Sequence, residues 1–348
     1  MHVNVNIEPL IPCSYSLART HSYTSGGVYQ NWSGVEPTTK GVRSWTVLDA
    51  WVDANVAAGR KIILDMSGTP NWAVSAAAVG ESPYPATKGN MVPDNDSDYT
   101  DFLSAVATRY AGKIYAYDTW NEPNLSKYYK GAAATAERLA TIQRKVYQAI
   151  KAADQSALVL SPAFTSVFSG VDGAASGSVG MKQFLAASDG ASGTGAVWFD
   201  HCAYHFYCND SALRPTGHER MYRELRAALN ASGRTDAEIW AEETGVIVPG
   251  LQTLAIDDQV ALMRANILAL FALGCARVMW FSFDDGSIGF GSGENRSTIT
   301  AAWNQLHADL AGATIRSAYV RTLDQRTMEV SITTNRGTVS QSIRGMPQ

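Results

Sequence analysis

Two short acidic segments carry the chemistry open to this chain. Residues 117 to 124 read YDTWNEPN, which sets Glu122 between an asparagine and a proline, and residues 242 to 245 read EETG, with Glu242 and Glu243 side by side. Each closes a run rich in β-branched and aromatic residues, so both acids are expected at the C-terminal ends of strands. Their separation, from 122 to 243, allows about 40 residues for each of three intervening βα units. Two carboxylates about 5 to 5.5 Å apart can cleave a glycosidic bond with retention, one attacking the anomeric carbon while the other protonates the leaving oxygen. Identical side chains then take different roles. Desolvation and a neighbouring negative charge keep the acid protonated, whereas hydrogen bonds keep the nucleophile ionised. Neighbouring strand residues point to opposite faces, so only one of Glu242 and Glu243 is expected to face the pocket.

The elements that must position these acids follow from the alternation of short apolar runs with Ala-rich helical patterns. Candidate strands are 2 to 6, 16 to 22, 61 to 67, 114 to 120, 157 to 163, 198 to 207, 238 to 244 and 277 to 283. Between them lie helical segments such as 99 to 112, where Phe102, Leu103, Val106 and Tyr110 recur at helical spacing, and 135 to 154, with Leu139, Ile142, Val146 and Ile150. Eight strands, most followed by a helix, predict an α/β fold of the (β/α)8 TIM-barrel type, with catalytic groups at the C-terminal ends of the strands. About ten residues separate the first two strands, too few for a crossover helix, so the first βα connection is expected to be shortened. The alternating tail from Ile315 to Ile343, with a turn at Asn335 to Gly337, predicts a small β appendage; the expected domains are a barrel over 1–312 and an appendage over 313–348.

With these strand ends in place, the chain resembles the clan A glycoside hydrolases, and most closely glycoside hydrolase family 39 and its bacterial relatives. The resemblance rests on WNEPN at 120 to 124 and EETG at 242 to 245, with RTH at 19 to 21, GTPNWA at 68 to 73, HFY at 205 to 207 and Trp280, all in order over about residues 1 to 310. It implies a retaining glycosidase in which Glu122 is the acid/base and Asn121 binds the sugar 2-hydroxyl. The family pattern Glu, any residue, Gly selects Glu243 as the nucleophile, although Glu242 stands where the family more often has Thr. It also places Arg19 beneath the nucleophile, helping to keep it ionised by charge-assisted bonding. His205 and Tyr207 are expected to orient the nucleophile and contact the sugar. Trp72 and Trp280 are candidate stacking platforms for a pyranose, and His21 is a further substrate-binding candidate. The partner is then an oligosaccharide or polysaccharide. A carbohydrate-binding pseudo-enzyme on the same barrel is the alternative, and its hallmark would be loss of one carboxylate.

Composition excludes several rival classes. With 28 Lys plus Arg against 32 Asp plus Glu, the net charge is −4 and neither sign forms a long run, so nucleic acid is not an expected partner. The most apolar stretch, Ala265 to Ala276, is too short to span a bilayer and reads as a buried helix. No GxGxxG or GxxxxGK[ST] motif occurs, so no nucleotide cofactor is expected. His201 and His205 would lie about 13 Å apart on one strand, too far to share an ion with Asp200 and Asp284, so no metal is expected. Four cysteines, Cys13, Cys202, Cys208 and Cys275, are too few and scattered for a disulfide scaffold. The start, MHVNVNIEPL, carries no export signal; the expected location is extracellular or periplasmic if a leading segment was trimmed and cytoplasmic otherwise. A monomer is expected.

Overall fold

The computed structural model describes residues 2–3, 14–20, 31–77, 88–166, 177–207, 217–246, 253–281, 289–290, 293–324 and 327–343. In chain order the elements are β1 (His2–Val3), β2 (Leu17–Arg19), α1 (Trp32–Val35), α2 (Thr46–Ala57), β3 (Lys61–Asp65), α3 (Asp96–Arg109), β4 (Ala116–Asp118), α4 (Ala136–Ala153), β5 (Leu158–Val159), β6 (Phe164–Thr165), α5 (Gly177–Ala186), β7 (Cys202–Tyr207), α6 (His218–Ala231), β8 (Ile239–Gly245), α7 (Ile256–Leu273), β9 (Arg277–Trp280), α8 (Gly293–Leu310), β10 (Ile315–Asp324), β11 (Thr327–Thr334) and β12 (Gly337–Ile343).

Strands β2-β3-β4-β5 form one parallel sheet and β1-β9-β8-β7-β6 another. Isolated parallel bridges, Leu160 with His201 and Asn121 with Ala163, join the two sheets where β5 and β6 meet. The expected fifth strand, 157 to 163, is therefore two short pieces that together occupy one barrel position. The result is a (β/α)8 barrel. Its strands are buried on both faces, towards the barrel interior and towards the helices, as parallel barrel strands are. No helix occurs among the described residues between β1 and β2.

Helix formation follows the spacing of the apolar residues. In α4, Leu139, Ile142, Val146 and Ile150 are buried on one face, and the Thr135 hydroxyl caps the first turn by accepting from the Arg138 N–H at 3.1 Å. In α3, Phe102, Leu103 and Val106 do the same. Helix α7 holds most of the apolar stretch from Ala265 and is buried over Ile267 to Leu270. It ends at Gly274, whose φ of 111° is a left-handed conformation that glycine accepts without a Cβ clash. No helix among the described residues is long and apolar enough to cross a membrane.

The reason α7 is apolar nearly all round lies in the tail. Strands β10-β11-β12 form an antiparallel sheet, and Met328, Val330 and Ile332 on alternate positions of β11 are buried in the same core as α7. One face of α7 covers the barrel and another is covered by this sheet, a sandwich that leaves little room for polar residues.

Inside the barrel, Leu17, Ile63, Ala116, Leu160, Ala163, Ala203, Trp240 and Met279 form a separate apolar cluster, every member fully buried. It is the packed floor on which the site rests.

Candidate active site

Two residues beyond the floor, the inward positions change character. Leu17 is followed by Arg19, Ile63 by Asp65, Ala116 by Asp118, Ala203 by His205 and Trp240 by Glu242. All five of these polar side chains are buried. They lie at the C-terminal ends of β2, β3, β4, β7 and β8, the end at which barrel enzymes carry their chemistry.

Arg19 is the hub. Its Nη1 donates to Glu243 Oε1 at 2.7 Å, and its Nη2 donates to Asp118 Oδ2 at 2.5 Å and Asn121 Oδ1 at 3.2 Å. Burial alone would lower its basicity, but Asp118, Glu242, Glu243 and Asp65 together hold the guanidinium pKa well above its usual value. The expectation that Arg19 lies against Glu243 is matched by these contacts.

Glu243 is held from the other side as well. The Tyr207 hydroxyl donates to Oε2 at 2.7 Å, and His205 Nδ1 is 3.4 Å from the same oxygen. Burial, and then the charge of Glu243, pushes the Tyr207 phenol well above its usual range, so it remains a donor at neutral pH. His205 Nδ1 also meets Glu122 Oε1 at 2.8 Å. Burial opposes a charge on this ring, yet Glu243 and Glu122 raise its pKa overall. One oxygen of each glutamate and a nitrogen of His205 all lie within 4.8 Å of one another. That grouping is close enough to surround an ion. Both Glu243 oxygens, however, already accept from Arg19 and Tyr207, and His205 already bridges the two acids, so the set is satisfied as a hydrogen-bonded network and is not assigned as a metal centre.

Glu122 has a backbone unlike any other non-glycine among the described residues, with φ of +41°. A left-handed conformation costs an ordinary residue of order 1 kcal/mol. It persists here because the Glu122 N–H donates to the Ala163 carbonyl at 2.8 Å and its own carbonyl accepts from Leu125 at 2.9 Å. The turn lifts the side chain towards His205. Beside it, Asn121 is fully buried; its Oδ1 accepts from Arg19, while its Nδ2 has no hydrogen-bond partner among the described residues.

One expectation is corrected. Strand alternation implies that Glu242 and Glu243 point to opposite faces, but Glu242 Oε2 lies 3.7 Å from Arg19 Nε while Glu243 holds Nη1. Both face inward. The cause is a bulge: Ala241 pairs with Tyr204 and Glu243 with the next residue, His205, so Glu242 is an extra residue opposite the partner strand. Glu242 continues the inward register of Trp240, and the bulge turns Glu243 inward again. Glu242 is completely buried and Glu243 is 4% exposed.

The aromatic candidates are more dispersed. Trp280 is fully buried beside Phe290, with ring centroids 6.5 Å apart, and its Nε1 has no hydrogen-bond partner among the described residues. Trp72 sits on a short 3-10 turn, donates from Nε1 to the Glu36 carbonyl at 2.8 Å and packs edge-on against Trp32. Trp120 is core, donating to the Tyr128 carbonyl at 3.1 Å. His21, Cys13, Cys208 and Asp284 lie outside the described residues. Cys202 and Cys275 are buried free thiols. His201 stacks on Trp240 near the start of β7, and Asp200 pairs with Lys151.

Sequence reasoning missed Asp65 and Asp118 as parts of the site. The signal was present in the strand runs, where an acid stands two residues after an inward apolar residue near a strand end. It was hidden because nothing local says that these acids share one cation.

The comparisons agree with this geometry. Residues 17–267 match the family model described as Cellulase (glycosyl hydrolase family 5). No curated protein matches the chain. Among solved structures, a monomeric β-xylosidase from Caulobacter crescentus superposes with a TM-score of 0.63 at 16% identity, over 91% of this chain and 67% of that one. A glucosidase from Croceicoccus marinus gives 0.61 at 16%, over 91% and 68%, and a glycoside hydrolase family 39 enzyme from Xanthomonas axonopodis pv. citri gives 0.59 at 16%, over 91% and 65%. Identities this low speak for the barrel, whereas the family match spans well over half of the sequence. The chain belongs to the cellulase family, glycosyl hydrolase family 5, and is a clan A glycosidase.

Proposed function

We propose that the protein is a retaining glycoside hydrolase that cleaves β-linked glycosides or a bacterial polysaccharide by double displacement. The observation that carries this reading is the approach of Glu122 and Glu243 to within 4.8 Å through His205, which suits retention and leaves too little room for the water that inversion needs between acids about 6.5 to 9.5 Å apart. All the proposed catalytic groups come from one chain, so a monomer is the proposed working unit.

In the proposed first step, a Glu243 oxygen forms a bond to the anomeric carbon as the bond from that carbon to the leaving oxygen breaks. Glu122 transfers its proton to that oxygen, and the leaving alcohol departs neutral. In the second step the Glu122 carboxylate takes a proton from water as the water oxygen attacks the anomeric carbon and Glu243 leaves as a carboxylate. Arg19 and Tyr207 favour the ionised form of Glu243 by donating to both of its oxygens. Asn121 offers its Nδ2 protons to a sugar hydroxyl, and Trp280 and Trp72 are the proposed aromatic contacts. Trapping with a 2-fluoro glycoside followed by peptide mapping tests the assignment: a label on Glu243 is expected, and a label on Glu242 overturns it.

A further inference from the structure

At the end of the barrel opposite the site, a cavity of about 600 Å³ opens beneath the floor, a size that takes a small organic molecule. Lys61 and Arg277, the first residues of β3 and β9, lie on one side of it. The facing wall is apolar, with Leu17 from the floor, Phe271 from α7, Leu310 from α8, and Ala313 and Ile315 where the chain passes into β10. No acid is among the described residues that line it. The two cations meet on one ring: Lys61 Nζ lies 3.9 Å from the centre of the Tyr115 ring, and Arg277 Nη2 donates to the Tyr115 hydroxyl at 3.3 Å. Neither forms an ion pair with a described residue. Glu238, the acid bound to the Trp240 ring over which Arg277 lies, is taken up by the indole N–H at 2.8 Å and stands 3.9 Å from His201.

We propose that this cavity binds a small amphiphilic carboxylate, with its head at Lys61 and Arg277 and its hydrocarbon part along Leu17, Phe271, Leu310 and Ile315. Two like charges gathered on one tyrosine with no acid between them repel each other, and an anion placed there turns the repulsion into two attractions. The Tyr115 and Trp240 rings soften the repulsion but carry no net charge. A bare inorganic anion would leave the apolar wall in water, and a neutral lipid would leave both cations unpaired. A sugar is a poor match, because Ser16 supplies the one hydroxyl among the described lining side chains. The cavity is also separate from the chemistry. Leu17 belongs to the packed floor, and that apolar layer stands between the cavity and Arg19.

The test titrates the full chain with sodium octanoate in a calorimeter, beside 1-octanol and inorganic phosphate, and repeats the titration with K61M, K61R and A313W. A single saturable site for octanoate is expected, and neither octanol nor phosphate should come within about tenfold of its affinity. K61M removes one charge from an exposed position, so affinity should fall roughly ten- to a hundredfold, the range for a hydrogen bond to a charged group, and K61R should restore it. A313W fills the cavity and should abolish binding. Hydrolysis of an aryl glycoside should be unchanged in all three variants and unaffected by octanoate. Equal affinity for octanol or phosphate, or octanoate binding that is undiminished in K61M or A313W, overturns the proposal. So does inhibition of hydrolysis by octanoate, which would put the carboxylate at Arg19 instead. A dimer in sedimentation that A313W dissociates would overturn it in favour of a second copy of the chain as the occupant. Should A313W fail to fold, K61M and K61R decide alone.

Discussion

The floor of the barrel and its mouth are built from the same strands, two residues apart, and they follow opposite rules. On the floor, Leu17, Ile63, Ala116, Ala203 and Trp240 fill the interior with apolar volume. In the mouth, Arg19, Asp65, Asp118, His205 and Glu242 occupy the equivalent inward positions and are just as buried. The floor gains stability from the loss of apolar surface, roughly 25 cal/mol per Å². The mouth gives part of that up to hold charges that are useful only when assembled. It also contains the left-handed Glu122 and the β8 bulge, and it keeps polar atoms such as Asn121 Nδ2 and His205 Nε2 without hydrogen-bond partners among the described residues. The contrast teaches that burial in this protein does not mark core or site; the register along each strand does.

Substitutions in the two layers should therefore fail in different ways. The largest effect is expected in the mouth: Glu122→Ala should lower turnover by about 10² to 10⁴ while leaving the melting temperature near that of the unaltered enzyme, with rescue by azide on substrates that have good leaving groups. Normal turnover in this variant would remove Glu122 from the acid/base role. On the floor the pattern inverts. Ile63→Ala should cost about 2 to 5 kcal/mol in denaturant unfolding because it opens a cavity in a packed interior, yet the folded fraction should keep its kcat. An Ile63→Ala enzyme of full stability and lost activity would erase the distinction between the layers.

A smaller change sharpens it. Tyr207→Phe removes one donor from Glu243 without altering volume, so kcat should fall by roughly ten- to a hundredfold, the range for a hydrogen bond to a charged group. Its pH profile should lose activity at higher pH on the acid side, because Glu243 becomes easier to protonate. The smallest effect is on stability against pH. Burial, and then the charge of Asp118, push the Asp65 carboxyl up to about 6 in the folded chain, against about 3.9 unfolded. Between those values the native state binds more protons than the unfolded one, so the Asp65 contribution to stability falls as pH rises from about 4 to about 6 and is level above. Asp65→Asn should flatten that part of the curve of urea midpoints against pH, and an unchanged slope would show that Asp65 is not a proton holder.

Much of this was legible in the sequence, and the reasons differ by residue. The helical faces of α3 and α4 are local in origin, and Phe102, Leu103, Val106, Leu139, Ile142, Val146 and Ile150 are buried as their spacing requires. Arg19, Asn121, Glu122, His205, Tyr207 and Glu243 come together as strand-end residues of a barrel must. The split of the fifth strand position into β5 and β6 was not legible, because the backbone changes its partner strand within one run, the Leu160 N–H donating to the Tyr117 carbonyl and the Ser161 N–H to that of His201, and nothing local marks that change. Nor was the packing of Trp280 against Phe290, since a contact between two residues ten positions apart across a connection follows from the fold and not from their spacing.

The sequence by itself determined the barrel, because periodicity is a property of the chain, while the six strand-end residues were marked out by the resemblance of their motifs, in order, to a known family. Only the tertiary structure decided that Glu242 and Glu243 share a face, since a bulge is a property of two paired strands and neither strand carries it alone. It also decided that Asp65, Asp118 and Glu242 compete for Arg19, because charges from four strands interact only once closure of the barrel has brought them within 4 Å of one guanidinium and taken them out of water.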